Sequence, residues 1–542
     1  MYVGDGATRS IANGIDLAGE GGLVWIKSRT SNSYWNVWFD TESGSGQLSS
    51  NRTDAELSSS SSVAGYVSAY NSDGFQVAAG SSNINSVNAS GGNYASWTFR
   101  KAPGFFDVVT YTGNDAASQS VAHSLGSVPG MVVVKDLGTN SWYVYHRGEG
   151  AGKYGVLNST AAFASSTVIW GNTTPTSTHF YVGSTGGGTA VNGNGRTYVA
   201  YVFAHDDQSF GTDSDESIIK CGSITAVSNT DTTVDLGWEP SWVLWKRSDG
   251  AGSWYIEDMM RGLSHTTGDT AYLQAENSDA EATTSNVVGT KPTPTGFIAG
   301  LSWGGDTGNE YIYIAIRRPH KPPSAGTEVF DVQTSADDGG NGTLTSTSVT
   351  ADLTITAVRS SGWDKWAATR ILGNTQLLTI SSSAASSSYS QWSLDEQYGF
   401  RHTSFTASNS IVDYTFRRAP GFLDCLAYEG TGSVQTVPHG LGVAPELLFV
   451  RRLTGVGYLV YSADYGASGY GVLAENFAFD TGYWGSGSGM WNNTDPTSSV
   501  FTLGSNNATN VSGGDYVAYL FASLDGISKV GSYSGTGSDI NV

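Results

Sequence analysis

The feature that most constrains this chain is an internal repeat in which the copies lie 317 residues apart (417 − 100). The segment RKAPGFFDVVTYTG (Arg100–Gly113) recurs as RRAPGFLDCLAYEG (Arg417–Gly430). The segment YVAY recurs in the same order, at Tyr198–Tyr201 and Tyr516–Tyr519, and further matches lie between the two. Ordered self-similarity is typical of a chain built from repeated structural units. We therefore predict a tandem array of modules.

Weaker copies fill the rest of the sequence. Pro240–Asp258 follows the plan of Pro129–Arg147, with a proline, an apolar run that ends in Lys, a polar turn and an alternating strand. Gly21–Asp40 and Pro445–Ser462 are related in the same way. We predict about five β modules of roughly 100 residues, a common domain size, and a short final segment. The bounds are 1–103, 104–208, 209–322, 323–420 (the most divergent) and 421–525, and 526–542 is the start of a sixth module or an exchanged strand.

The modules fall into three types that follow one another as first, second and third. The final segment Lys529–Val542 resembles Lys220–Val234, which opens the third module. Met1–Gly6 aligns with Tyr111–Asp115 but lacks the strand that Phe105–Thr110 supplies to the second module. Two interpretations fit. The chain is a fragment of a longer repeat protein, or its C-terminal strand completes the first module of the same or a neighbouring chain and satisfies an open row of backbone groups.

Composition indicates strands and turns. The chain has 542 residues, too many for one hydrophobic core, because cores stop growing at roughly 250–300 residues. Its 70 glycines are close to twice the usual share of about 7% and disfavour helices. The 39% hydrophobic and 12% aromatic content still supplies enough apolar surface for packed cores.

Local patterns agree with this fold class. Met131–Val134 is a continuous apolar run, as expected of a covered strand, and Trp142–His146 alternates as a half-solvated strand does. Asp136–Ser141, rich in turn-forming residues, is the predicted hairpin turn between them. We predict all-β modules of the β-sandwich type, jelly-roll or lectin-like. Thr270–Ala282 is the segment that comes nearest to a helical period.

The charge balance indicates which partners are unfavourable. Asp and Glu outnumber Lys and Arg by 48 to 27, and a surface of that sign repels nucleic acid and anionic membranes. We find neither an apolar stretch of about 18–20 residues, the length that spans a bilayer, nor the basic and apolar regions of a secretion signal at the N-terminus. Cys221 and Cys425 fall in different modules, so we expect free, buried thiols and assembly in a reducing cytoplasm.

A search for catalytic motifs gives little. Gly150–Gly155 fits GxGxxG but lies between strand patterns, without the strand, turn and helix that nucleotide binding requires. His123 and His439 recur at equivalent places without an accompanying His or carboxylate, which favours turn-stabilising roles. The acidic stretch Asp206–Glu216 lacks calcium-loop spacing and is interpreted as a solvated linker rather than a cation site. We predict a non-enzymatic chain with no catalytic residues, no metal and no cofactor.

Aromatic residues are the remaining candidates for a binding site. Trp35, Trp142 and Trp254 are taken as equivalent strand positions and are assigned to cores. Tyr483, Trp484 and Trp491 lie in or beside a loop insertion, where an exposed aromatic side chain could stack on a sugar ring. These three are the candidate binding residues.

The repeated units resemble those of predicted virion structural and tail-fibre proteins of marine bacteriophages. The resemblance rests on FxDVVTYTGN, VxHxLGxVPGxVVVK, WYVYH and YVAYxFAHDD, and it is best in the second and fifth modules. It implies a structural role in a virion assembled in the host cytoplasm, as a tail fibre, spike or capsid decoration that contacts the host surface.

We expect other virion proteins as partners, a homo-oligomer such as a trimer, a host surface glycan as a further ligand, and neither nucleic-acid binding nor membrane insertion. Two alternatives remain open. One is a cellular adhesin or secreted lectin-like protein, and the other is a polysaccharide depolymerase, since paired carboxylates for glycoside hydrolysis are recognised only in space.

Overall fold

A computed structural model of the chain is nearly all β. It describes every residue except 45, 58–64, 79–86, 212–213, 228–230, 266–269, 284–288, 301–306, 337–343, 360–361, 363, 374–375, 389–391, 403–409, 456, 474, 476–477, 480–486 and 542. Strands in the described residues come from five consecutive stretches of chain, which we call modules 1 to 5.

Module 1 contains β1 (Tyr2–Val3), β2 (Arg9–Ala12), β3 (Gly22–Ser28), β4 (Val37–Asp40), β5 (Leu48–Ser49), β6 (Tyr66–Asn71), β7 (Gly74–Ala78) and β8 (Asn93–Arg100). Module 2 contains β9 (Phe106–Thr112), β10 (Gln119–Ala122), β11 (Met131–Asp136), β12 (Trp142–His146), β13 (Lys153–Val156), β14 (Ala164–Ser165), β15 (His179–Val182) and β16 (Thr197–Phe203). Module 3 contains β17 (Ile219–Thr225), β18 (Thr232–Asp235), β19 (Pro240–Arg247), β20 (Tyr255–Asp258), β21 (Ala271–Gln274), β22 (Ala282–Thr283), β23 (Thr290–Thr293), β24 (Gly296–Ala299) and β25 (Glu310–Arg317).

Module 4 contains β26 (Phe330–Ala336), β27 (Leu344–Ser346), β28 (Leu353–Val358), β29 (Lys365–Thr369), β30 (Gln376–Thr379), β31 (Ser387–Ser388), β32 (Gly399–Arg401) and β33 (Ser410–Phe416). Module 5 contains β34 (Leu423–Glu429), β35 (Gln435–Pro438), β36 (Leu447–Arg452), β37 (Leu459–Ser462), β38 (Gly471–Val472), β39 (Val500–Leu503) and β40 (Asp515–Phe521). The helical pieces in the described residues are short: α1 (Leu17–Glu20), α2 (Gly487–Met490), α3 (Asn507–Asn510) and 3-10 turns at Gly326–Glu328 and Arg370–Leu372.

Each module has one large and one small antiparallel sheet. The large sheets share one strand order, in which the first strand pairs with the last and the last pairs with the central strand, as in β1-β8-β3-β4-β5 and β34-β40-β36-β37-β38. The two sheets of a module pack face to face, so that Leu448 and Tyr516 of one meet Val437 and Phe501 of the other in a common core. The predicted all-β sandwich class is confirmed, whereas the module bounds remain predictions.

One closure recurs where the first and last strands of a module meet. Tyr111 stacks on Tyr198, with ring centroids 5.1 Å apart, and its hydroxyl donates to the Val191 carbonyl oxygen over 2.6 Å. Tyr2 and Tyr428 make the same two contacts in modules 1 and 5. A glycine follows two residues later because a Cβ at Gly113 would lie 2.3 Å from a backbone oxygen.

Modules 1 to 3 share one hydrophobic core. The outer faces of their large sheets meet at an apolar void of only about 10 Å³. Module 1 contributes Trp25 and Trp38 to this junction, and module 2 contributes Leu157. Module 3 contributes Trp242 and Leu244. The three large sheets therefore pack against one another and do not form three independent domains.

Hydrogen bonds close modules 1 to 3 into a ring. Trp142 Nε1 of module 2 donates to the Ser49 carbonyl oxygen of module 1 over 3.0 Å, and Trp254 Nε1 of module 3 donates to the Val156 carbonyl oxygen of module 2 over 3.0 Å. Asn36 Nδ2 of module 1 completes the circle by donating to the carbonyl oxygens of Gln274 and Asn277 in module 3, over 3.0 and 2.6 Å.

Modules 4 and 5 pack on one another in the same way as modules 1 and 2. Phe416 meets Phe521 edge to face at 6.1 Å, as Phe99 meets Phe203 at 5.5 Å. Arg451 of module 5 donates to backbone carbonyl oxygens of module 4. Pieces of module 3 around Met259 and Leu263 join the core of this pair and connect it to the ring.

One expectation about the strand positions needs correction. Trp35 is not the equivalent of Trp142 and Trp254, because Asn36 continues the β3–β4 register at that position; Trp142 and Trp254 are core residues as predicted. Thr270–Ala282, the segment nearest to a helical period, contains β21 and the start of β22.

Within the described residues, the two chain ends do not pair with each other. β1 lies on the edge of β8, and Val530 in the exposed tail instead donates its N–H to Ser523 Oγ over 2.9 Å. Both cysteines are free and buried, as expected. None of the described helices is long and apolar enough to cross a membrane.

Candidate functional site at the module junctions

The two recurring histidines form identical turns. His123 Nδ1 accepts the Leu125 N–H over 3.3 Å, and its Nε2 lies 3.2 Å from the Thr176 carbonyl oxygen. His439 makes the corresponding contacts to Leu441 and Thr497 at the same distances. Burial lowers the pKa of both imidazoles, so both are neutral near pH 7. The predicted turn-stabilising role is confirmed by these hydrogen bonds.

A carboxylate does accompany each histidine turn, contrary to the expectation from sequence. Asp107 accepts the Ser124 N–H over 2.7 Å, and Asp424 accepts the Gly440 N–H over 2.7 Å. In both modules a basic residue, Lys101 or Arg418, directly precedes the sequence APGF, and the carboxylate lies two residues after it. Lys101 Nζ lies 3.4 Å from Asp107 Oδ1, whereas Arg418 Nη2 lies 2.8 Å from Asp424 Oδ1. The constellation is therefore a cation, a carboxylate and a turn at the entry to modules 2 and 5.

At module 5 this constellation is part of a buried ion cluster. Arg418 binds Glu239 of module 3 through two parallel contacts, Nη1–Oε1 at 2.8 Å and Nη2–Oε2 at 2.7 Å. Arg318 Nη2 reaches Asp424 over 2.9 Å. Burial alone would raise the pKa of Asp424, but the charges of Arg318 and Arg418 outweigh it and hold the pKa well below its ordinary value. The cluster links modules 3, 4 and 5 with matched charges.

A second ion cluster joins modules 1, 3 and 4. Arg29 of module 1 contacts Glu281 of module 3 at 2.7 Å and Asp395 of module 4 at 2.8 Å. Arg261 adds a contact of 3.2 Å to Glu281. Since Arg29 and Arg261 are largely withdrawn from solvent and each carboxylate has a cation, these groups are held as structural pairs.

Buried cations also recur at the end of the apolar runs in modules 1, 2, 3 and 5. Lys27, Lys135, Lys246 and Arg451 are each fully buried. Three of them reach across a junction: Lys27 Nζ donates to the Ser278 carbonyl oxygen over 2.9 Å, Lys246 Nζ to Thr160 over 3.1 Å, and Arg451 Nη1 to Ser382 over 2.9 Å. Lys135 donates to Gly138 of its own turn over 2.7 Å.

Burial lowers the pKa of Lys27, Lys135 and Lys246 to about 8. The chemistry at these positions is hydrogen bonding of backbone carbonyls. Sequence reasoning noted the Lys at the end of each run but missed its role. The sequence signal that could have indicated this role is the recurrence of a cation at a buried strand position, where an apolar residue would be expected.

Glu257 is the carboxyl group whose acidity most resembles that of a catalytic acid. Burial raises its pKa to about 7. Its two oxygens, however, accept the Thr290 N–H over 3.0 Å and Trp245 Nε1–H over 3.3 Å, and the side chain is buried inside module 3. This environment indicates a structural carboxyl group that ties β20 to its neighbours.

A cavity of about 360 Å³ lies among modules 1, 3 and 4. Trp97, Phe99 and Trp242 form its apolar wall, and Asp258 and Arg370 are among its charged groups. Asp258 accepts Trp97 Nε1–H over 3.0 Å and also pairs with Arg261, so its charge is already satisfied. The cavity borders the portion of β8 that has a paired strand on one side only.

The predicted binding residues do not come together in the described part of the chain. Tyr483 and Trp484 lie outside the described residues. Trp491 is only 2% exposed and packs edge to face on Tyr461 at 6.0 Å, so it belongs to the module 5 core and lacks the exposed face that sugar stacking needs. A loop position next to an insertion was misleading because the chain turns inward there through α2.

The other sequence candidates also serve structure. Gly150–Gly155 spans the turn before β13 and most of β13 itself, and no helix follows it directly. In the acidic stretch, Asp206 pairs with Lys220 at 3.2 Å and Glu216 with Arg317 at 2.6 Å. Over the residues that the structure describes, no group of three or more His, Cys, Asp or Glu side chains could hold a metal ion.

Comparison with known proteins gives one match. A family model described as a domain of unknown function (DUF7483) matches residues 1–319 and 418–541. The unmatched stretch between them overlaps the divergent module predicted at 323–420. Neither the curated proteins nor the solved structures gave a match.

Proposed function

The chain belongs to the family described as a domain of unknown function (DUF7483), and from this starting point we propose that it is a non-enzymatic structural protein of a bacteriophage particle. Its role is that of a tail fibre, spike or capsid decoration that contacts the host surface. It acts in the virion after assembly in the host cytoplasm, beside other virion proteins. A host surface glycan is the proposed ligand.

The observation that carries this proposal is the use made of the recurring polar groups. Cations such as Lys27 and Arg451 bind backbone carbonyls of neighbouring modules, and Arg418 binds carboxylates of two others. The repeated cations therefore form contacts between modules. A chain of this kind is suited to a stiff body that presents a surface, and the resemblance to virion repeat proteins supports the same role.

The acidic surface supports the expected partners. With a formal net charge of −21, the chain repels phosphate backbones and anionic membranes. We propose association with protein and uncharged glycan surfaces, and assembly as a homo-oligomer such as a trimer, since closed symmetry protects exposed sheet edges.

The proposal is tested on purified virions from lysates in which the chain is made. We expect its peptides in the particle by mass spectrometry and antibody labelling of the head or tail by electron microscopy. Detection only on the bacterial surface or in the medium would support the adhesin alternative.

A second assay addresses catalysis. We expect the chain to release no reducing sugars from host surface polysaccharide. If sugars are released, Glu257→Gln tests whether the carboxyl group of raised pKa is responsible. Sugar release that a carboxylate variant abolishes would show a depolymerase instead.

A further inference from the structure

Modules 4 and 5 leave an apolar face uncovered. We define the open face by Tyr414 and Phe416 of module 4 with Phe449, Leu473 and Phe521 of module 5. Tyr414 is 38% exposed and Leu473 is 46% exposed, and the three phenylalanines are partly exposed. Contiguous apolar surface of this kind marks an interaction site more often than isolated apolar residues do.

The same positions are covered in the ring. The repeat and the strand registers make Trp97, Phe99, Val133, Leu157 and Phe203 the counterparts of the open face. Each of these five side chains is buried, and Leu157 is only 1% exposed. The difference therefore comes from what covers the face and not from the fold of the modules.

Module 3 is what covers it. Trp97 Nε1 donates to Asp258 of module 3 over 3.0 Å, and Phe99 meets Trp242 edge to face at 5.7 Å. Leu157 lies with Leu244 at the three-sheet junction. Asn36, which binds module 3 carbonyls, is buried, whereas its counterpart Lys365 in module 4 is exposed.

We propose that the open face binds a β module of the third type. Its large sheet would present an apolar row equivalent to Trp242, Leu244 and Ile314 against the open face. It would complete with modules 4 and 5 a second ring of the kind that modules 1 to 3 form. The order of module types points to the same partner, since Lys529–Val542 repeats the opening of the third module. This inference does not depend on the proposed function.

The test supplies such a module to the full chain. Residues 529–542 are replaced by residues 220–322, and Leu473→Cys provides a reporter thiol on the open face. The native Cys221 and Cys425 are buried and should react slowly with a thiol reagent. We expect the reporter thiol to be labelled at least about tenfold more slowly with the graft than without it, because labelling then requires the interface to open.

Two controls make the result specific. Val434→Cys reports from a site that is 60% exposed and lies off the open face, and its labelling should not change. A graft of residues 106–204, which is a module of the second type, should leave the reporter thiol of Leu473→Cys reactive. Equal protection by both grafts, or rapid labelling of the reporter thiol beneath a folded third-type graft, would overturn the proposal.

The unmodified chain gives an answer even if the graft does not fold. Without a graft, the thiol of Leu473→Cys should react much faster than the thiol of Leu157→Cys, and sedimentation should show no association through the open face. Slow labelling of Leu473→Cys in a monomer would mean that the face is already closed. Slow labelling in a dimer that disperses when Phe449→Asp is introduced would identify a second copy as the occupant and contradict the third-type module.

Discussion

The ring of modules 1 to 3 and the pair of modules 4 and 5 place similar residues in different surroundings. Leu157 in the ring is buried at a junction of three sheets, and Leu473, at the same strand end in the pair, is exposed. Asn36 in the ring binds module 3, and Lys365 in the pair faces solvent. Burial of these side chains is therefore a property of the assembled modules. Matched substitutions in the ring and in the pair measure how much the third module contributes to stability.

The largest effect is expected at the joint between the ring and the pair. Arg418→Met should destabilise this joint by about 3–5 kcal/mol, because it leaves Glu239 buried without its paired cation and Asp424 with Arg318 alone. Its counterpart within the ring, Lys101→Met, should cost about 1 kcal/mol or less, since Lys101 is partly exposed. Hydrogen exchange of β34 and β9 amides measures both. Equal losses would show that the two joints do not differ in strength.

The next comparison uses one residue type in both places. Leu157→Ala should cost about 2–5 kcal/mol because it opens a cavity at the three-sheet junction. Leu473→Ala should change stability by less than about 0.5 kcal/mol, as surface substitutions usually do. Protection of the β13 and β38 amides gives the two values. A large loss from Leu473→Ala would mean that the open face is covered in solution.

These comparisons separate what the sequence can predict from what it cannot. The run Met131–Val134 and the alternating Trp142–His146 predicted paired strands, and both are present because strand formation follows local side-chain pattern. The histidine turns were also predictable, since all their partners lie within one module.

The contacts between modules were not predictable in this way. Asn36 and Gln274 are 238 residues apart, and their contact depends on ring closure. Identical local sequence at Leu157 and Leu473 gives opposite burial, so no local pattern could distinguish them. Trp35 was taken as the equivalent of Trp142 and Trp254, whereas the strand register places Asn36 at that position. Trp491 was expected at the surface because it lies beside a loop insertion, whereas its environment is set by the packing of α2 and α3.

A smaller effect is expected at the hydrogen bonds that close the ring. Asn36→Ala should cost about 1–3 kcal/mol, because buried carbonyl oxygens of module 3 lose their donor. Lys365→Ala, the matched change in the pair, should stay within about 0.5 kcal/mol. Exchange of the β4, β21 and β29 amides tests both. No loss from Asn36→Ala would show that the hydrogen bonds of Asn36 do not contribute to closing the ring.

The smallest effect is a dependence on pH that only the ring should show at its β12 junction. His146 Nε2 lies 3.1 Å from the Tyr313 carbonyl oxygen of module 3, and its Nδ1 accepts the Gly148 N–H over 3.1 Å. The counterpart in module 5 is Ser462, which does not titrate. Burial lowers the pKa of His146 to about 4. His146 therefore binds a proton below about pH 6.5 in the unfolded state but only below about pH 4 in the folded state. Stability falls as the pH falls through this window.

Between pH 7 and pH 6 we expect His146 to contribute a loss of about 0.7 kcal/mol in the opening free energy of β12. The β37 amides should lack this contribution. His146→Ser, which installs the residue found in module 5, should lower the stability at pH 7 through the lost hydrogen bonds and flatten the profile of β12 between pH 7 and pH 6. Hydrogen exchange at the two pH values, corrected for the intrinsic rate, gives both slopes. A profile that stays equally steep in His146→Ser would assign the acid sensitivity to another histidine, such as the partly buried His205, whose pKa burial also lowers to about 4.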